Sequence, residues 1–155
     1  MAVVMSTVED IQAYIGQEIG HSDWTKVTFE QIQMFADATL DQQWIHTDRA
    51  RAEKESPYGA PIAHGYLTLS LVAGLFFQVL RLDGFKMVIN YGCNKVRFPA
   101  PVIVDNNVRL RLTLQSARQI KASAWWEMVM IAVIEIEGSE KPAAYAEAVY
   151  RVQSA

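Results

Sequence analysis

Asp41 and His46 stand five positions apart in Asp41-Gln42-Gln43-Trp44-Ile45-His46-Thr47-Asp48. Downstream, Ile62-Ala63-His64-Gly65-Tyr66-Leu67 opens a long apolar run with a histidine and a glycine. A carboxylate, an imidazole and a glycine-headed helix are the parts needed to add water across an activated double bond. The first two groups can take and give protons near neutral pH. The free N–H groups of a helix's first turn carry partial positive charge, which suits developing negative charge. Glycine there lets a substrate carbonyl approach the backbone without a Cβ in the way.

Spacing limits how these groups can meet. On a continuous helix, residues five apart lie about 140° apart around the axis, so Asp41 and His46 would not face one small ligand. They converge only if a helix ends near Thr39 and a turn brings the chain back. Leu40 to Trp44 shows no helical period, which permits that turn. Taken singly, the same residues have plainer roles: Asp41 as a solvated helix-end carboxylate, His46 as a partly buried histidine, His64 as a helix cap, Gly65 as a tight turn. Gln43 can donate and accept, which suits it to orient the imidazole or a water, and equally to be a surface amide.

The elements that must position these residues are legible from period and punctuation. Thr7-Val8-Glu9-Asp10 reads as a helix start, with Val8, Ile11 and Ile15 on one face and Gly16 as the stop. A short extended piece follows over Ile19 to Val27. Thr28-Phe29-Glu30-Gln31 fits a capping box, and Phe29, Ile32, Phe35 and Ala36 set a helix from about Phe29 to Thr39. Leu40 to Pro61 reads mostly as loop, with one short helix from Asp48 to Glu55 capped by Thr47. Tyr66 to Leu80 is apolar nearly all round, the mark of a helix buried on every side.

From Lys86 the period becomes two. Val108, Leu110, Leu112 and Leu114 alternate with Arg109, Arg111 and Thr113, a strand with one wet face. Trp125 to Glu137 is apolar on both parities, and Ala143 to Val152 supplies a last strand. Long strands after one buried helix predict an α+β fold: an antiparallel β-sheet wrapped around a long central buried helix. Strands apolar on both faces have more surface than one helix can cover, which favours a homodimer.

Composition narrows the rest. At 155 residues the chain reads as a single domain, 1–155; 51% of it is apolar and 20% charged, which is globular rather than disordered. Net charge is −3 with no basic stripe, which argues against nucleic acid. Cys93 is the only cysteine, so no disulfide or cysteine-based metal site is expected, and a lone thiol in a strand reads as a small core residue. Met1 to Asp10 lacks a basic start followed by an apolar core, and Tyr66 to Leu80 is short for a bilayer and carries Thr68, Ser70 and Gln78. The expectation is a soluble cytoplasmic protein with no membrane insertion.

Together the segments resemble the MaoC-like dehydratases, the (R)-specific enoyl-CoA hydratases of the hot-dog fold. The likeness runs through Phe35-Ala36-Asp37-Ala38-Thr39-Leu40-Asp41, Ile45-His46-Thr47-Asp48 and Ile62-Ala63-His64-Gly65, then Asn90-Tyr91-Gly92 and Lys95-Val96-Arg97-Phe98-Pro99-Ala100-Pro101-Val102. The Gln43-Trp44-Ile45-His46 form is closest to the branch that includes nodulation protein N. Three positions depart from the family pattern. Leu40 replaces the glycine before the aspartate, Gln43-Trp44 replaces Asn-Pro, and the glycine expected near Asp105 is absent.

The resemblance implies a trans-2-enoyl thioester of coenzyme A as substrate, with no metal or redox cofactor. Its carbonyl would accept from the Gly65 N–H while Asp41 and His46 hold a water, one taking its proton and the other delivering one to the α-carbon. Gln43, His64, Asn90 and Tyr91 would contact substrate, and Lys95 and Arg97 would meet the coenzyme A phosphates or stand as solvated strand charges. The rival readings are an acyl-CoA thioesterase, a dehydratase of acyl carrier protein substrates, and a non-catalytic acyl-CoA-binding protein.

Overall fold

The computed structural model describes residues 1–155. The amino-terminal half carries the short elements: β1 (Val3–Val4), α1 (Val8–Ala13), β2 (Glu18–His21), β3 (Thr25–Lys26) and α2 (Phe29–Thr39). A single turn α3 (Trp44–Thr47) and α4 (Arg49–Glu55) lead to the long helix α5 (Gly65–Val79) and the short β4 (Leu80–Arg81). Four long strands complete the chain: β5 (Phe85–Arg97), β6 (Asn107–Gln119), β7 (Trp125–Ile136) and β8 (Ala144–Ser154).

The long strands and β2 make one antiparallel sheet in the order β2-β6-β7-β8-β5, with β3 also on β6. Alternation sets its inner face. Val108, Leu110, Leu112 and Leu114 of β6 point inward and are buried, as are Met128, Met130 and Ile134 of β7 and Ala146, Ala148 and Val152 of β8. They close on Leu67, Val72, Leu75, Phe76 and Val79 of α5 to form the core. The outer face carries half-exposed Arg109 and Arg111, which share Glu135. Such partly exposed pairs contribute little stability and chiefly keep that face wet. No helix is long and apolar enough to cross a membrane.

The helix that leads to Asp41 has the predicted bounds. Thr28 Oγ1 accepts from the Gln31 N–H at 3.3 Å, and Gln31 Oε1 accepts from the Thr28 N–H at 3.0 Å, the reciprocal pair of a capping box. At the other end Leu40 adopts φ 65° and ψ 14°, the left-handed conformation that ends helices and normally falls to glycine.

Four expectations need correction. Helix α5 is not covered all round: Tyr66, Ser70, Ala73, Gly74 and Phe77 form an exposed stripe at helical spacing, with Tyr66 72% and Phe77 66% exposed. The sheet curls over one side of the helix and ends at the unpaired edge of β5, so the other side stays open. Cys93 lies on that exposed edge strand and not in the core. The cap of α4 is Asp48, whose carboxylate accepts from the Arg51 N–H at 3.0 Å, because Thr47 already closes the turn α3. Ile15 lies beyond the end of α1 and is exposed, since that helix stops at Ala13.

A non-glycine residue in the left-handed region costs roughly 1–2 kcal/mol. Leu40 is 85% exposed, so replacing it gives up no packing. Leu40→Gly is therefore expected to raise the melting temperature by about 2–4 °C, offset in part by glycine's larger unfolded-state entropy. Thermal melts followed by circular dichroism check this, and a lower melting temperature would show that the turn is not strained.

Candidate active site

The left-handed turn at Leu40 throws the chain back from the end of α2, and the single turn α3 then carries His46 toward Asp41. This is the return that the five-residue spacing required. One polar side-chain atom from each of Asp41, His46 and His64 lies within 4.8 Å of the others. Asp41 is exposed, whereas His46 and His64 are buried.

The two imidazoles are held by opposite backbone segments. His46 Nδ1 donates to the Ile62 carbonyl at 2.6 Å; a carbonyl can only accept, so this nitrogen carries the proton and Nε2 keeps its lone pair. His64 Nε2 donates to the Asp41 carbonyl at 3.0 Å, which leaves His64 Nδ1 a buried acceptor with no protein partner. The rings stack with centroids 3.8 Å apart and planes at 23°. The Ile62 N–H donates to the Ile45 carbonyl at 3.1 Å and completes the lacing.

Burial is the main reason His46 sits below the ordinary imidazole range, and nearby His64 pushes the same way. The Ile62 hydrogen bond and the Asp41 charge oppose that shift and are outweighed. The geometry does not suit a metal ion. Nearly parallel stacked rings send their lone pairs along parallel planes and not toward one ion.

Gly65 is the first residue of the fifteen-residue helix α5, and its N–H donates to no protein group. An added Cβ would stand 2.9 Å from the Phe98 ring, so glycine is needed for the aromatic ring to pack on the helix start. A hollow of about 300 Å³ lies here, lined by His46, Tyr58, Ile62, Gly65, Thr68 and Phe98 among others. His46 and a free helix N-terminus therefore face one space; Asp41 does not line it, but its carboxylate lies within 4.8 Å of a ring nitrogen of His46.

The remaining expected residues divide. Gln43 is exposed at the start of α3, where its backbone N–H reaches Asp41 Oδ1 at 3.4 Å and its amide makes no protein hydrogen bond. His64 is buried, stacked on His46, and donates to the Asp41 carbonyl. Asn90 lines a different cavity, further along α5. Tyr91 lies on the outer face under the Arg151 guanidinium, 3.4 Å from its ring centroid. Lys95 and Arg97 are exposed near the end of β5; Arg97 donates to the Val96 carbonyl at 2.7 Å and Lys95 lies 5.6 Å from the Tyr145 ring. Phe98 and Tyr150 were not singled out by sequence reasoning. Alternation with Ala146, Ala148 and Val152 would have placed Tyr150 on the inner face.

A family profile described as "MaoC like domain" matches residues 10–131. The chain belongs to the MaoC-like dehydratase family. It is 43% identical over 145 residues to 3-hydroxyacyl-thioester dehydratase Z of Mycobacterium tuberculosis, covering 94% of this chain and 95% of that protein. Nodulation protein N of Rhizobium meliloti is 41% identical over 138 residues, covering 88% and 85%. Among solved structures, the (R)-hydratase from A. caviae superposes with a TM-score of 0.69 at 26% identity, over 88% of this chain and 94% of that one. An Archaeoglobus structure titled as a monoamine oxidase regulatory protein shares the fold, with a TM-score of 0.80 at 22% identity over 100% and 99% of the two chains. The fold is thus the hot-dog fold of this family, and the protein is an enzyme of the dehydratase and hydratase class.

His46 makes a testable statement about pH. Its folded-state value is depressed, so folding resists its protonation. The stability that neutral His46 contributes is fully present above the unfolded value of about 6.5 and is lost as pH falls through the lower folded value. Nuclear magnetic resonance titration of the His46 ring is expected to give a midpoint below about 6.5. A midpoint above it would show the ring solvated or paired as a cation.

Proposed function

We propose that this enzyme, a single domain over residues 1–155, hydrates trans-2-enoyl-CoA to (R)-3-hydroxyacyl-CoA and catalyses the reverse dehydration. The observation that carries the reading is the lone pair on His46 Nε2, left free by the Ile62 hydrogen bond and set beside Asp41 and an unengaged helix N-terminus. The (R) outcome draws support from the likeness to the (R)-hydratase, and the thioester from the relative named for 3-hydroxyacyl thioesters.

Water donates one hydrogen to His46 Nε2 and the other to the Asp41 carboxylate. As His46 takes its proton, the oxygen attacks the β-carbon, and the alkene electrons shift toward the thioester oxygen. The Gly65 N–H donates to that oxygen and stabilises the enolate-like state; losing one such donor costs about 3–4 kcal/mol in comparable sites. The imidazolium then gives its proton to the α-carbon, which restores neutral His46 and completes the addition of one water. Asp41 orients the water and favours the transient imidazolium.

The active species is a homodimer in this reading. The open stripe of α5 adjoins Val88 of the edge strand β5, and Met87, Ile89 and Tyr91 add exposed apolar side chains along the same unpaired edge. A second copy paired at β5 would cover them and remove the free edge. We assign the phosphates of coenzyme A to Lys95 and Arg97, the two exposed cations near the end of β5.

Asp41→Asn and His46→Gln are each expected to cut enoyl-CoA hydration by roughly a hundredfold or more, with the circular dichroism spectrum unchanged. Near-normal turnover in either folded variant would refute the dyad.

A further inference from the structure

A second cavity, of about 260 Å³, lies along the same helix, walled by Leu69, Val72 and Ala73 of α5, Asn90 and Cys93 of β5, and Tyr150 of β8. Strand β5 runs antiparallel to α5. Phe98 lies against Gly65, Asn90 and Cys93 lie opposite Leu69 to Ala73, and Val88 lies by Phe76 and Phe77. The cavity therefore begins one helical turn beyond the Gly65 N–H, on the ridge that Gly65 and Leu69 share. An acyl chain whose thioester oxygen sits at Gly65 would enter it several carbons past the β-carbon.

Leu69, Val72, Ala73 and Ala148 give the cavity apolar walls, and Ser70, Asn90 and Tyr150 bring polar groups to its lining. Tyr150 is only 5% exposed, and its hydroxyl has no protein hydrogen-bond partner. Burial pushes this phenol up to about 12, so it remains an O–H donor throughout the physiological range. Its ring is fixed by Phe76, with centroids 4.8 Å apart. Asn90 is the β5 residue paired with Tyr150; it is exposed, and its side-chain amide is not engaged by another protein group. A buried hydroxyl without a partner is destabilising and calls for an acceptor.

We propose that this cavity takes an acyl chain bearing a hydrogen-bonding oxygen, a keto or hydroxyl group, which accepts from the Tyr150 hydroxyl and meets the Asn90 amide. The inference rests on the hydratase reading only in taking the chain to be carried on a thioester. It makes Tyr150 a residue that discriminates among chains, remote from the reacting carbons.

Titration calorimetry with the purified protein tests it, using decanoyl-CoA and mono-keto analogues whose oxygen is moved carbon by carbon from mid-chain to the end. One keto position is expected to bind about fivefold more tightly than decanoyl-CoA, the effect of a single hydrogen bond. In Tyr150→Phe, which keeps the ring stacked on Phe76, that preference is expected to vanish while the variant melts no lower than the wild type. No binding, equal affinity at every position, or a preference that survives Tyr150→Phe would overturn the proposal and leave the hydroxyl served by water only. A lower melting temperature in Tyr150→Phe would overturn it too, by revealing a structural partner. Parallel hydration of trans-2-decenoyl-CoA separates the two readings. A keto preference without hydration sinks the hydratase and keeps the cavity, and hydration without preference does the reverse.

Discussion

Two hydrogen bonds run in opposite directions between the turn after α2 and the approach to α5, and the site depends on both. His46 donates across to Ile62, and His64 donates back to Asp41. Each bond uses a carbonyl as acceptor, so each fixes a tautomer as well as a position. The stacked rings then leave one lone pair buried, on His64, and one facing the hollow, on His46. Removing either bond would loosen the tie between the Asp41 turn and the start of α5.

The same lacing sets the protonation of a buried histidine. Burial favours the neutral ring, and the Ile62 hydrogen bond holds its proton on Nδ1 and leaves the lone pair on Nε2. The opposing Asp41 charge stabilises the protonated ring when it forms. Glycine at position 65 belongs to the same arrangement, because any Cβ there would displace Phe98 from the rim of the hollow.

Much of this was legible in the residues, for identifiable reasons. Period-two burial of Val108, Leu110, Leu112 and Leu114 and the Thr28–Gln31 capping box are local signals, and both are met by the structure. The necessity of a turn between Asp41 and His46 followed from helix geometry alone. The stripe Tyr66, Ser70, Ala73, Gly74 and Phe77 was misread because an apolar circumference looks the same whether a sheet or a second chain covers it. The surroundings of His64 show another limit of spacing. Spacing says that it stands near the dyad, but only three-dimensional contacts show that its proton is directed at the Asp41 carbonyl. Tyr91 and Asn90 are adjacent in sequence and lie in different places because neighbouring strand residues face opposite sides.

The most direct test is incubation of the purified protein with crotonyl-CoA and a longer trans-2-enoyl-CoA, with chiral analysis of the product. The expected result is loss of the enoyl absorbance and formation of (R)-3-hydroxyacyl-CoA. Formation of the (S) product, or no hydration together with thiol release from saturated acyl-CoA, would contradict it.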